Sequence, residues 1–347
     1  MDVSAIGFYT ADMSFYLNLH TTLNYQVNGD SEFLFKLALP HRVRQKILGE
    51  ALVVTGHDRR YEYTDSFGNR VLRVRAHSGV LKVEHDAALV VDHFFVPLSA
   101  IPDHRVSEIP DRVTTYLFPS RYCQSDQLLN FAQQEFGDVA PGYARVDAIC
   151  KWVRHHIQFA SGETGWNTSA MEVLTSRRGI CRDYAHLAIA LLRALNIPAR
   201  FVTGYDYGAD ASSGPPDFHA YIEAYVGGRW YVEDPAGICK RTHLMRIAVG
   251  RDAADCAFAS IFGPVRFQNM KIALHQPDDV GDRAPGHADA EEYAVSMTDG
   301  DALFPEQTHA AETDGNLERR ASPHRYTLSD TILPLAHAEP LRNVYLF

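Results

Sequence analysis

Cysteine is scarce in this chain, and its five copies are odd in number and irregularly spaced, so they build no disulfide framework. That suits a reducing compartment, and the cytoplasm is the expected location. No Cys-x-x-Cys or paired-histidine spacing marks a metal site. No apolar run reaches the roughly 18 residues that a membrane-crossing helix needs. Met1-Asp2 opens no basic cluster ahead of a long apolar stretch, so no signal peptide is expected. Basic residues are outnumbered, 33 Lys and Arg against 43 Asp and Glu, and form no stripe, which disfavours nucleic-acid binding. Glycine-rich phosphate loops and dinucleotide fingerprints are missing too, and no cofactor is expected.

What the chain does have is enough apolar residue, 46% of 347, to bury a sizeable core, and a length that suits two domains. The net charge of −10 is concentrated near the carboxyl end. Twelve Asp and Glu but only three Arg lie between Gln276 and Arg320, with few apolar residues and no sustained period. Residues 276–347 are therefore expected to be an acidic, disordered, solvated tail, although Tyr326 to Phe347 turns apolar enough to dock back on the body. At the other end, residues 1–110 carry strand-like runs such as Phe15 to Tyr25 and Arg70 to Ala76, punctuated by turns at Asp65-Ser66-Phe67-Gly68-Asn69 and His77-Ser78-Gly79. Four prolines from Pro97 to Pro119 mark a linker. Residues 111–275 remain for the domain that carries chemistry.

The most informative stretch is Gly179-Ile180-Cys181-Arg182-Asp183-Tyr184. It places Cys181 on the first turn of a helix rich in good helix formers, which runs to Leu195 and stops at Asn196-Ile197-Pro198. A thiol at a helix N-terminus sits at the positive end of the backbone dipole, and this favours the thiolate, the nucleophilic form. Most free cysteines are simply small buried hydrophobes, so the residues downstream decide.

Two β-rich runs follow, from His219 to Val226 and from Arg229 to Asp234, separated by Gly227-Gly228. A Gly-Gly pair fits a two-residue hairpin, whose central residues need positive φ. That turn sets Val226 opposite Arg229, and carrying the register back places Tyr221 opposite Asp234. Period-2 alternation keeps His219 on the same face, a diagonal neighbour of Asp234 about 7–8 Å away across the strands at the backbone. Cys181, His219 and Asp234 then supply the nucleophile, base and orienting carboxylate of a thiol hydrolase or transferase.

The other candidates carry less. Cys150 shares an apolar helical stripe with Val146, Ile149 and Val153, and with Cys123 it reads as core. Cys239 follows Asp234 closely enough to raise a zinc site with Cys181 and His219, but no ligand spacing supports it. His155, His156 and His186 fall on helices with no ligand partner at i+4. Arg182 and Asp183 either shape the electrostatics beside the thiol or complement the dipole of the first turn.

The stretches from Gly179 to Leu187, Asn196 to Tyr205, His219 to Tyr225 and Gly228 to Pro235 together resemble the transglutaminase-like superfamily of papain-like fold, in particular the bacterial branch with an N-terminal β domain. The likeness spans about residues 120 to 270 and includes Gly250 to Phe258, a segment similar to one in that branch. Tyr221 departs from it, since many members carry tryptophan after His-Ala. The resemblance implies an α+β architecture: a catalytic helix packed on an antiparallel sheet, preceded by an antiparallel β-sandwich over residues 1–110. It puts the catalytic triad on Cys181, His219 and Asp234. One oxyanion donor would be the Cys181 backbone N–H. The second would come from upstream, where Trp166, Asn167 and Thr168 each offer a donor and Trp166 is either that donor or a core aromatic. The expected activity is cleavage of an amide or peptide bond in a peptide or protein substrate, through a thioester on Cys181. Acyl transfer to an amine, or a non-catalytic peptide-binding role, are the alternatives.

Overall fold

The computed structural model describes residues 14–42, 44–207, 218–275 and 292–298, and the backbone of Val344–Leu346. Strands β1 (Phe15–Val27), β2 (Ser31–Phe35), β3 (Gln45–Thr55), β4 (Arg59–Thr64), β5 (Arg70–Ala76), β6 (Gly79–Val91) and β7 (Phe94–Pro97) come first. Helices α1 (Asp111–Thr114), α2 (Leu129–Phe136) and α3 (Tyr143–His156) follow, then the short β8 (Gln158–Phe159), α4 (Ala170–Ser176), β9 (Arg178–Gly179) and α5 (Cys181–Ala194). The chain continues through β10 (Ala199–Asp206), β11 (Phe218–Val226), β12 (Arg229–Glu233), β13 (Leu244–Gly250), α6 (Ala253–Cys256), β14 (Ala259–Phe262), β15 (Val265–His275), β16 (Tyr293–Ser296) and β17 (Val344–Leu346). Among the described residues no helix is long and apolar enough to cross a membrane.

The sandwich follows from alternation. Along β1, Phe15, Leu17, Leu19, Leu23, Tyr25 and Val27 are buried while most of the intervening residues are not, as period 2 requires of a sheet with one covered face. β1 pairs antiparallel with β6 from Phe15↔Val91 to Val27↔Gly79, in a four-stranded sheet of order β15-β1-β6-β3. A five-stranded sheet of order β17-β14-β2-β5-β4 packs against it: the Tyr25 ring lies 5.5 Å from Phe33 and 5.8 Å from Phe35 of β2.

The six-stranded sheet of order β13-β10-β11-β12-β16-β7 is built differently. Every residue of β10, β11 and β13 is buried, because both faces are covered. Helix α5 lies on one side, itself buried all round from Arg182 to Ala194. The sandwich meets this sheet through Thr21, whose hydroxyl donates to Tyr205 at 3.1 Å, and through side-chain hydrogen bonds from Gln45 and Asn69 to the backbone of β13. One apolar core runs through both layers.

Strand pairing redraws the boundaries expected from sequence. β14 and β15, inside the expected 111–275 domain, return to the sandwich, where β15 pairs with β1 and β14 with β2. β7, from the expected amino-terminal domain, joins the six-stranded sheet through β16. β16 itself belongs to the expected tail, yet it pairs with β12 and buries Ala294, Val295 and Met297. The short apolar run Tyr293-Ala294-Val295 inside an acidic segment finds its partners about 60 and 200 residues away in sequence, which local composition does not reveal. Val344–Leu346 likewise pairs with β14, within the apolar end that was expected to dock. The rest of the acidic segment lies outside the described residues.

Candidate active site

Helix α5 begins at Cys181, and Ile180 before it is extended, with φ −108° and ψ 179°. Gly179 is required by its neighbour: a Cβ there would stand 2.7 Å from the Asp183 Cβ. Asp183 is fully buried and its carboxylate organises the turn. Oδ2 accepts from the Ile180 backbone N–H at 3.0 Å and from the Thr164 hydroxyl at 2.6 Å, while Oδ1 pairs with the Arg182 guanidinium at 2.9 Å. Arg182 also donates to the Gly165 carbonyl at 2.8 Å. Neither reading left open for these residues, electrostatics beside the thiol or a dipole-complementing first turn, describes these contacts; they make a structural clamp. They hold the loop bearing Trp166 against the helix start. At the far end Asn196 adopts φ 61° and the Ile197 N–H returns to Leu192 O, a left-handed cap that ends the helix where the sequence indicates.

The hairpin register is the expected one, with Val226↔Arg229 through Ile222↔Glu233 paired and Gly227 and Gly228 at φ 56° and 82°. Pairing stops one step before Asp234, which leaves that residue at the head of a tight loop. His219 Nε2 lies 3.2 Å from Asp234 Oδ1, and both side chains are buried. The contact is an ion pair rather than an aligned hydrogen bond, so Nε2 has no hydrogen-bond partner. Asp234 Oδ1 accepts from the Ala236 N–H at 3.1 Å, and Oδ2 accepts from Ile238 and Cys239, both at 2.9 Å. Arg154 donates to the Asp234 carbonyl oxygen at 2.8 Å. The Tyr221 ring lies nearly parallel to the imidazole at 6.3 Å. Across the sheet from His219 stands Gly204, where a Cβ would meet the Met245 carbonyl at 2.2 Å and Tyr221 at 2.8 Å.

Burial alone would lower the basicity of His219, but the charge of Asp234, with Cys181 and Cys239 close by, raises its pKa well above the ordinary value. Burial would likewise raise Asp234; the facing imidazolium and the amide donors of Cys239 and Ala236 hold it below the ordinary carboxylate range instead. Both shifts favour the imidazolium–carboxylate form of the pair. Beside Cys181 it can stabilise a thiolate and hand a proton to a leaving group, which is what acyl transfer through sulfur needs.

The remaining thiols divide clearly. Cys123, Cys150 and Cys256 are buried, and burial pushes the Cys123 thiol up to about 12. Cys239 is half-buried and its sulfur comes close to His219 and Asp234, so the proximity raised from its place five residues after Asp234 is present although no ligand spacing in the sequence supported it. Burial also raises the Cys239 thiol to about 12, against the pull of the His219 charge. Trp166 is 52% exposed, which removes the core-aromatic reading. Its carbonyl accepts from the Tyr122 hydroxyl at 2.8 Å. His186 is buried, stacked on Tyr122 at 4.9 Å, and accepts from the Ala253 N–H at 3.2 Å; burial lowers its pKa to about 3. It belongs to the fastening of Gly250–Phe258 onto α5, together with Asp252, which caps α6 and accepts from the Tyr122 N–H.

A model of the transglutaminase-like superfamily core matches residues 130–235, a span that contains Cys181, His219 and Asp234. The crystal structure of a candidate cysteine protease from Cytophaga hutchinsonii is similar at 35% sequence identity and a TM-score of 0.76, over 82% of this chain and 98% of that one. An uncharacterised protein of Mycobacterium leprae is 28% identical over 223 residues, 62% of this chain and 80% of its own length. An uncharacterised protein of Mycobacterium tuberculosis is 35% identical over 109 residues, covering 34% of its length. At the level of the family these matches support a cysteine-dependent hydrolase or transferase. With nearly the whole of a 35%-identical structure matched, the chain belongs to the transglutaminase-like superfamily.

Proposed function

We propose that this protein hydrolyses amide or peptide bonds through a thioester on Cys181. The observation that carries the reading is the buried His219–Asp234 ion pair beside a thiol on the first turn of a buried helix. The Cys181 thiolate attacks the substrate carbonyl carbon. The negative charge that develops on oxygen is met by the Cys181 backbone N–H and by a donor from the Trp166 loop, which Arg182 and Asp183 hold in place. With Nε2 committed to Asp234, Nδ1 of His219 is the nitrogen that protonates the departing amine. The now neutral imidazole takes a proton from water as that water adds to the thioester, and Cys181 leaves as thiolate.

A true transglutaminase would pass the same acyl group to an amine. The similarity to a structure described as a candidate cysteine protease favours hydrolysis. The connection between β10 and β11 is short in sequence, from Asp206 to Phe218, which leaves little chain for an acceptor groove; it lies largely outside the described residues. Incubating the protein with glutamine-containing peptides and a primary amine, read by mass spectrometry, separates the two. Cleavage or deamidation products that disappear in Cys181→Ala support hydrolysis; dominant amine adducts would move the assignment to transfer.

A further inference from the structure

We infer that His219, Asp234 and Cys239 form a binding site for a soft divalent cation, with Zn²⁺ the model case, and that its occupancy silences Cys181 by taking away its imidazole. This goes beyond the hydrolase reading and stands independently of it. One ligand atom from each of the three residues lies within 4.8 Å of the other two. The separation of 3.2 Å between His219 Nε2 and Asp234 Oδ1 is close to the edge, about 3.3 Å, of a tetrahedron whose metal bonds are about 2.0–2.1 Å. Nε2 is buried and points at these groups without an aligned hydrogen bond.

The ligands are already oriented. The N–H groups of Ile238 and Cys239 hold Asp234 Oδ2, and Arg154 holds the carbonyl of the same residue, so the carboxylate is pinned before any ion arrives. Charge also balances. A divalent cation displaces one proton from the His219 imidazolium, leaving it neutral and protonated at Nδ1, and one from the Cys239 thiol. The buried group is then dication, carboxylate, thiolate and neutral imidazole, with the same net charge as imidazolium, carboxylate and thiol. The site changes ligands without burying new net charge. A thiolate and an imidazole select zinc-like ions over magnesium or calcium. The half-buried Cys239 gives the ion an approach, and a solvent water fills the fourth position.

The test is equilibrium dialysis of chelator-treated full-length protein against Zn²⁺, with metal content measured for the parent, Cys181→Ala, Cys239→Ala and Cys239→Ser. One equivalent bound by the parent and by Cys181→Ala is expected, with affinity falling in both Cys239 variants by more than the 10–100-fold that outer-shell changes cost. In the parent, Zn²⁺ should slow alkylation of Cys181, and Co²⁺ should show a thiolate charge-transfer band that persists in Cys181→Ala. That variant abolishes hydrolysis but not the site, so the two readings fail separately. Should a Cys239 variant not fold, the Cys181→Ala cobalt spectrum decides alone. No stoichiometric binding, or binding lost in Cys181→Ala and kept in Cys239→Ala, would overturn the site.

Discussion

Thr164 donates its hydroxyl to the buried carboxylate of Asp183 at 2.6 Å, across nineteen residues, and so ties the loop of Trp166 to the turn that carries Cys181. The two substitutions that break this contact should behave differently. Thr164→Val removes one charge-assisted hydrogen bond, at about 1.5–3 kcal/mol. Asp183→Ala also strands the buried Arg182 guanidinium, and should cost about 3–5 kcal/mol. Urea denaturation measures both. Equal losses would mean that the Arg182 charge is satisfied elsewhere.

The electrostatics of His219 and Asp234 set a pH window. His219 has its folded pKa raised, so its stabilising contribution is complete below about 6.5 and is lost as pH climbs through the folded value. Asp234 has its folded pKa lowered, so its contribution is present above about 3.9 and is lost as pH falls through the folded value. The stability difference between parent and Asp234→Asn should therefore be greatest from about pH 4 to 6.5 and shrink on either side. Hydrolysis in this variant should fall by about 10⁴ in kcat, with its alkaline limb moved to lower pH. A pH-independent stability difference would refute the ion pair.

How much of this was legible in sequence depended on the range of the interactions. Cys181 was found because a helix start and its dipole are local, and His219 with Asp234 because Gly227-Gly228 fixes a hairpin register within a dozen residues. Cys239 was named beside His219 but set aside, because its approach depends on how the loop after Asp234 turns, which neighbouring residue types do not specify. β14, β15 and β16 escaped for a stronger reason: their partners are tens to hundreds of residues away, and a strand's periodicity names its faces but not its neighbour. For Arg182 and Asp183 the sequence offered electrostatics beside the thiol or a dipole complement, and the clamp was not legible because Thr164 and Gly165 are brought to them by the loop's path.

β16 makes a prediction that composition alone reverses. Ending the chain after His275 would remove β17 and the strand between β12 and β7, with the burial of Val295 and Met297, each worth about 1.5–3 kcal/mol, while exposing edges of β12, β7 and β14. Thermal unfolding of the truncated protein should show a clear loss; an unchanged midpoint would mean that β16 contributes nothing to the sheet.

Glu223 is buried between two guanidiniums, with Arg200 at 2.5 Å on one oxygen and Arg246 on the other. Burial would raise its pKa, but the charges of Arg200 and Arg246 hold it below the ordinary carboxylate range. Glu223→Gln leaves both cations without their anion and should destabilise by about 3–5 kcal/mol in denaturant titration, without changing which cysteine reacts. A loss below about 1 kcal/mol would show that the two arginines are otherwise neutralised.

Thioester formation on Cys181 is read directly by trapping the acyl-enzyme. The protein is mixed with an activated acyl ester, quenched in acid, digested and mapped by mass spectrometry. The acyl group should appear on Cys181, decay with time in the parent, and be absent from Cys181→Ala. An acyl group on Cys239 or another thiol, or none on Cys181 at any time, would contradict it.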